Sequence, residues 1–292
     1  MILLNADDYA LTEGVSRAVG ELAAARRLSA TSALTTTPHW PSMAQRLVIH
    51  RGRIAVGLHL NLTLGAPLGP MPRFAPGGTF PKRNAVLKRS LMGLLPAREI
   101  RAEIERQLDA FERQLGFPPD HIDGHEHMHV LPGIRRCLLD LVASRYPGQK
   151  PLLRNPADSR RAIAARGSPR GKAMAVALLA AGLAAGARRR GIPSNEGFSG
   201  FSSFDVSVPY AKELEAAMCA PGSRHIVMCH PGHADAELAA VDPVVERRRM
   251  EYEALMRDAS LPERIWHPAR APDGPPVDWT HHLGSVAGDE VT

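Results

Sequence analysis

The stretch that most restricts the fold is Ile54-Ala55-Val56-Gly57-Leu58-His59-Leu60-Asn61-Leu62. Alternate residues of an extended strand point to opposite sides. Ile54, Val56, Leu58, Leu60 and Leu62 therefore share a bulky apolar face. Ala55, Gly57, His59 and Asn61 share a small face that turns polar toward its C-terminal end. This is the pattern of a strand covered outside by helices, with a site opening at its mouth.

Other apolar runs end in polar residues in the same way. Ile2-Leu3-Leu4 reads as a buried first strand running into Asn5-Ala6-Asp7-Asp8-Tyr9, and a second strand is expected over 29–36, stopped by Pro38. Leu152-Leu153-Arg154 is another short strand, and His225-Ile226-Val227-Met228-Cys229-His230 is an apolar strand terminating in histidine. Helical signals lie between them. Thr12 is placed to cap a helix carrying Val15, Val19 and Leu22. Ile100, Ile104, Leu108, Phe111 and Leu115 form the stripe of an amphipathic helix over 99–115, closed by Gly116 and Pro118-Pro119. Further helices are expected over 134–146 and from Asp242-Pro243. Alternating strands and helices favour an α/β fold with a parallel sheet or barrel. A chain of 292 residues is long enough for one such domain.

The richest chemistry lies in Asp120-His121-Ile122-Asp123-Gly124-His125-Glu126-His127-Met128-His129. Read as a strand running into a loop, it puts His121, Asp123, His125, His127 and His129 on one side. Such a segment covers roughly 26 Å, so one or two of its histidines at most can share an ion, with ligands from elsewhere. Imidazole suits zinc and related metals, and carboxylates extend the range toward harder ions. Asp7-Asp8, His59, His125 and His230 all fall at the C-terminal ends of separate expected strands, the end that carries the site in parallel α/β folds. One carboxylate and two imidazoles form a three-ligand set with open positions, and the second aspartate is left as a general base. The arrangement reads as a metal-dependent hydrolase.

The remaining segments yield coarser expectations. Residues 65–97 mix Gly, Pro, Phe and basic residues and read as a flap-like insertion at the rim of a barrel spanning 1–268. Residues 269–292 read as a loose tail. Ala173 to Ala187 reads as a packed helix, short for a membrane span. Gly197-Phe198-Ser199-Gly200-Phe201-Ser202 could form a wall against a sugar. Lys and Arg exceed Asp and Glu by 36 to 30, giving +6. The few aromatic residues are not interleaved with the basic ones, so no nucleic-acid platform is expected. Cys137, Cys219 and Cys229 lack CxxC spacing and read as buried small side chains in a reducing compartment. Asn5 and two aspartates follow the first residues too closely for a signal peptide, so a cytoplasmic location is expected.

Four motifs resemble those of YdjC-type carbohydrate deacetylases, the family of chito-oligosaccharide and hopanoid-biosynthesis-associated deacetylases. They are Asn5-Ala6-Asp7-Asp8-Tyr9, Gly57-Leu58-His59-Leu60-Asn61, His121 to His129, and His230-Pro231-Gly232, in family order over roughly residues 1–265. The resemblance implies a distorted TIM-like (β/α) barrel in a single domain, acting on an N-acetyl sugar, either a small molecule or lipid-linked. It implies one divalent metal ion, zinc or magnesium, with Asp8, His59 and His125 as ligands. Asp7 matches the catalytic base, and His230 is the candidate acid for the departing amine. His127 and His129 would be outer or substrate contacts, and a homodimer is the family-level expectation. Tyr9-Ala10 departs from the commoner Phe-Gly. A metal-dependent phosphoesterase and a non-catalytic sugar-binding protein are the alternatives.

Overall fold

Seven strands carry the site: β1 (Ile2–Tyr9), β2 (Ala30–Ala33), β3 (Ala55–Leu60), β4 (His121–Gly124), β5 (Leu152–Leu153), β6 (Phe198–Ser199) and β7 (His225–Cys229). They belong to a computed structural model that describes residues 1–167, 169–271 and 273–279. The strands lie in the order β5-β4-β3-β2-β1-β7-β6, and every neighbouring pair is parallel. The sheet curls into a half-barrel ringed by helices, a distorted TIM-like barrel. Its open side is narrowed by a parallel bridge from Leu153 to Ser194.

Side-chain alternation decides which side of the sheet faces the helices. Val56, Leu58 and Leu60 of β3 join Leu4, Ile122 and Val227 in the large core. The helical stripe Ile100, Ile104, Leu108, Phe111 and Leu115 closes over that core. Each such side chain contributes about 1.5–3 kcal/mol when fully buried, so a one-residue slip of any strand would be costly. The opposite side is a smaller cluster of Leu3, Ala30, Ala55, Leu152, Phe198, Ile226 and Met228. It lines the lower barrel interior, and the polar residues of the site stand above it.

Glycine makes room in this interior at one key position. A Cβ on Gly57 would lie 2.4 Å from Nε2 of His121, so the imidazole occupies the space a side chain would take. That is why the small face of β3 has to be small.

Several sequence expectations need correction. Strand β4 ends at Gly124, and residues 125–130 form a tight turn with Glu126 and His127 left-handed at φ 52° and 60°. The histidines therefore do not share one strand face. The 65–97 insertion holds a helix, Arg83–Leu91, and is tied down by Glu103 and Glu99, which accept from the backbone N–H of Leu68 and Phe74. The Ala-rich segment breaks at Gly182 into Arg170–Leu179 and Leu183–Arg188, and the first of these buries only Ala173. The last long helix starts at Val245. Cys219 is exposed, while Cys137 and Cys229 are buried.

Residues 269–271 and 273–279, expected as loose tail, seal the base of the barrel instead. Val277 and Trp279 pack into the interior cluster. Arg270 pairs with Asp120 at 2.5 Å, and the Trp279 indole N–H donates to the Asp120 carbonyl at 2.6 Å. Residues 280–292 lie outside the described residues.

Candidate metal centre

Strict alternation along β1 would send Asp7 and Asp8 to opposite sides. The strand avoids this by a register shift between Ala6 and Tyr9. Asp8 takes φ 67° and Ala10 φ 68°, a conformation that costs a residue with a Cβ roughly 1–2 kcal/mol. The result is that both carboxylates reach the mouth, while Tyr9 turns back into the core and donates to the Met43 carbonyl. The departure from glycine at Ala10 thus falls on a strained position.

Asp8, His59 and His125 come together. Asp8 Oδ1 lies 3.2 Å from His59 Nε2 and 2.9 Å from His125 Nδ1. One donor atom from each residue falls within 4.8 Å of the others. A carboxylate and two imidazoles converging on one point are compatible with a divalent metal ion. His59 Nδ1 meets Asp123 Oδ1 at 2.6 Å, the outer carboxylate that commonly orients a ligating histidine. Burial opposes charge on His59, but Asp123 and Asp7 outweigh it and raise its pKa to about 10.

A second convergent group, Asp7, His59 and Asp123, has the right residue types as well. It is not a cation site, because Arg154 fills it. Arg154 Nη1 lies 2.7 Å from Asp7 Oδ1 and 2.9 Å from Asp123 Oδ2. Burial counts against its charge, yet Asp123 and Asp7 keep the guanidinium protonated.

His230 stands at the end of β7. Its backbone N–H donates to Glu251 Oε2 at 2.5 Å. Its Nδ1 has no hydrogen-bond partner among the described residues. Burial lowers its pKa to about 4 against the pull of Asp7 and Asp8, so the ring is neutral near pH 7. Phe204 stands edge-on to it, centroids 6.3 Å apart.

His127 and His129 separate. His129 is fully buried and its Nε2–H donates to the Arg154 carbonyl at 2.8 Å. It holds a neighbour of the site rather than facing substrate. His127 is half-buried at the rim, edge-on to Phe198 and Phe201 at 5.7 and 5.6 Å. The aromatic-glycine loop therefore borders the mouth.

Three positioning groups escaped the sequence reading. Arg154 was seen only as a strand end. Arg248 donates to Asp8 Oδ2 and contacts Asp242, both at 2.6 Å; it leaves Oδ1 of Asp8 facing the histidines. Glu251, one turn further along the same helix, Val245–Arg257, holds His230. Three buried aspartates in one site require cationic partners, and that requirement was the available signal for Arg154.

The sequence matches the family described as YdjC-like protein over residues 1–261. Among curated relatives, the chain is 34% identical over 46% of its length to a chitooligosaccharide deacetylase of Proteus mirabilis, covering 52% of that protein. It is 29% identical to a chitooligosaccharide deacetylase of Klebsiella pneumoniae over 80% of this chain and 82% of that one. The chain spans about half the length of the first curated relatives it matches. A crystal structure from Enterococcus faecalis V583, of a protein with a proposed role in cellobiose-phosphate cleavage, superposes with a TM-score of 0.64 at 23% identity. That superposition covers 90% of this chain and 92% of the other, and it supports the fold alone.

Proposed function

The chain belongs to the YdjC-like family, and from that membership and its site we propose that it is a metal-dependent deacetylase that hydrolyses the acetamido group of an N-acetyl sugar. The observation that carries this reading is the convergence of Asp8, His59 and His125 beside a carboxylate outside that ligand group, Asp7, and a neutral imidazole, His230. A divalent ion held by the three ligands would supply Lewis acidity to the acetamide carbonyl.

The chain's own groups account for the proton movements. Asp7 takes a proton from water as the water oxygen bonds to the carbonyl carbon and the carbonyl π pair moves onto its oxygen, to return when the carbon–nitrogen bond breaks. Arg154 holds Asp7 through both carboxylate oxygens and so fixes its direction. The carbon–nitrogen bond then breaks as His230 protonates the leaving amine. Because His230 is neutral in the resting site, its proton has to arrive within the cycle, and the one held by Asp7 is the nearby source. Asp123 orients His59, and Arg248 orients Asp8.

A phosphoesterase built on two metals is less well supported, since the second donor group is occupied by Arg154. A pure binding protein has no need of Asp7 beside the ligand group; activity lost on chelation with sugar binding retained separates an enzyme from a binder. The test is acetate release from a panel of N-acetylated sugars by metal-loaded protein, with a chelated control. Metal-dependent release on any member supports the reading. Metal binding with phosphate-ester cleavage and no acetate release overturns it.

A further inference from the structure

Two elements beside the site mouth turn apolar side chains outward and carry basic residues without acidic ones. The first is the helix Arg83–Leu91 with the turn that follows. Leu91, Met92 and Leu94 are 61%, 59% and 58% exposed. Exposed leucines are ordinary singly, but a run of them marks a contact surface. No Asp or Glu occurs from 65 to 98, while Arg73, Lys82, Arg83, Lys88, Arg89 and Arg98 do.

The second element is the helix Arg170–Leu179, whose Leu178 is 77% exposed. Residues 159–195 contain eight Arg and Lys and no acidic residue; Arg166 and Arg190 pair with Asp158 and Asp140, and among the described residues the others do not pair with these two acids. Among the described residues, 170–188 is the one stretch long and apolar enough to cross a membrane by length and composition. It breaks at Gly182, where φ is 85°, so it suits a surface better than a span.

Both elements border the same opening. Arg83 lies 3.8 Å from Glu126, the residue after His125, and Ser90 donates to the Pro132 carbonyl at 2.6 Å. Lys172 sits 4.6 Å over the ring of Phe204, which in turn faces His230.

Charge chooses the occupant. A second copy of the chain would set like charge against like charge across a self-complementary contact. An anionic bilayer offers apolar depth to the leucines and counter-charge to their basic surroundings. We infer that the protein docks on an anionic lipid surface through Leu91, Met92, Leu94 and Leu178, with the site mouth turned toward the membrane.

Cosedimentation of the full chain with phosphatidylcholine vesicles, with and without phosphatidylglycerol, tests this. The expected result is binding to the anionic vesicles only, weakened by salt. Leu91→Asp/Leu94→Asp/Leu178→Asp should lower the partition coefficient at least about tenfold, at unchanged circular dichroism. Lys88→Glu/Arg98→Glu, which leaves the apolar side chains in place, should also weaken binding. Absence of binding to either vesicle, or binding indifferent to both variants, overturns the inference. So does a dimer in light scattering that the Asp variants dissolve, which would assign the surface to a second copy. The readout is binding, so it stands apart from the chemistry proposed for the site.

Discussion

Arg154 grips Asp7 through two parallel hydrogen bonds, Nη1 to Oδ1 at 2.7 Å and Nη2 to Oδ2 at 2.9 Å. The same guanidinium bridges to Asp123, which holds His59. One buried cation therefore ties the candidate base to the ligand side of the site. Arg154→Lys keeps a charge but loses the planar fork. It should lower kcat at least about tenfold with little change in KM, if a misplaced base is the defect. Arg154→Leu removes the cation between two buried carboxylates and should cost about 3–5 kcal/mol of stability, read as a fall in the thermal midpoint.

Metal binding should release protons. Asp8 is already ionised, since burial is outweighed by His125 and Arg248 and its pKa lies well below the ordinary value. His59, raised to about 10, is protonated at pH 7 and must lose the Nε2 proton to ligate. Calorimetric titration with zinc at pH 7 in buffers of different ionisation enthalpy should report about one proton released from this residue. Affinity should rise with pH up to about 10. Binding without proton release would show His59 to be neutral beforehand.

How much of this was legible in the sequence follows from how local each signal is. Alternation and a polar strand end are properties of six or so consecutive residues, so His59, His125 and His230 could be placed without any contact information. Asp7 and Asp8 could be located but not oriented, because the register shift between Ala6 and Tyr9 breaks the rule on which alternation rests. Arg154, Arg248 and Glu251 were invisible for another reason. Their partners stand 147, 240 and 21 residues away, and a charged residue on a helix such as Val245–Arg257 ordinarily faces water. The C-terminal stretch up to Trp279 was misread because Gly- and Pro-rich composition reports backbone irregularity, not exposure.

Glu251 provides a pH signature. Burial raises its pKa to about 7, above the ordinary value near 4.5. A native-state pKa raised in this way gives stability that is complete below pH 4.5 and is lost as pH climbs through 7. Glu251→Gln cannot ionise. Relative to the parent it should gain stability between pH 4.5 and 8, by an amount on the order of a few kcal/mol. Denaturant melts at the two pH values check this; a difference that stays flat with pH contradicts it.

Ala10 supplies a backbone test. At φ 68° glycine pays no steric cost, so Ala10→Gly should relieve strain that offsets the lost methyl and the looser unfolded chain. The expected change in stability is near zero or favourable. The same substitution at Ala175, inside the helix Arg170–Leu179, should cost about 1 kcal/mol. Equal losses at both positions would count against a left-handed Ala10.

The family match stops at residue 261, yet the barrel floor is completed by residues beyond it. Trp266 donates its backbone N–H to Ile2, Arg270 neutralises Asp120, and Trp279 stoppers the interior. Being recognisable and being able to fold are thus set by different lengths of the same chain. A protein cut at the limit of its family resemblance would keep every residue of the metal centre and lose the cork beneath it. Such a truncation would bare Leu3 and Ile226 to water and strip Asp120 of its bonds to Arg270, Val277 and Trp279, and inactivity in it would say nothing about the chemistry at the mouth.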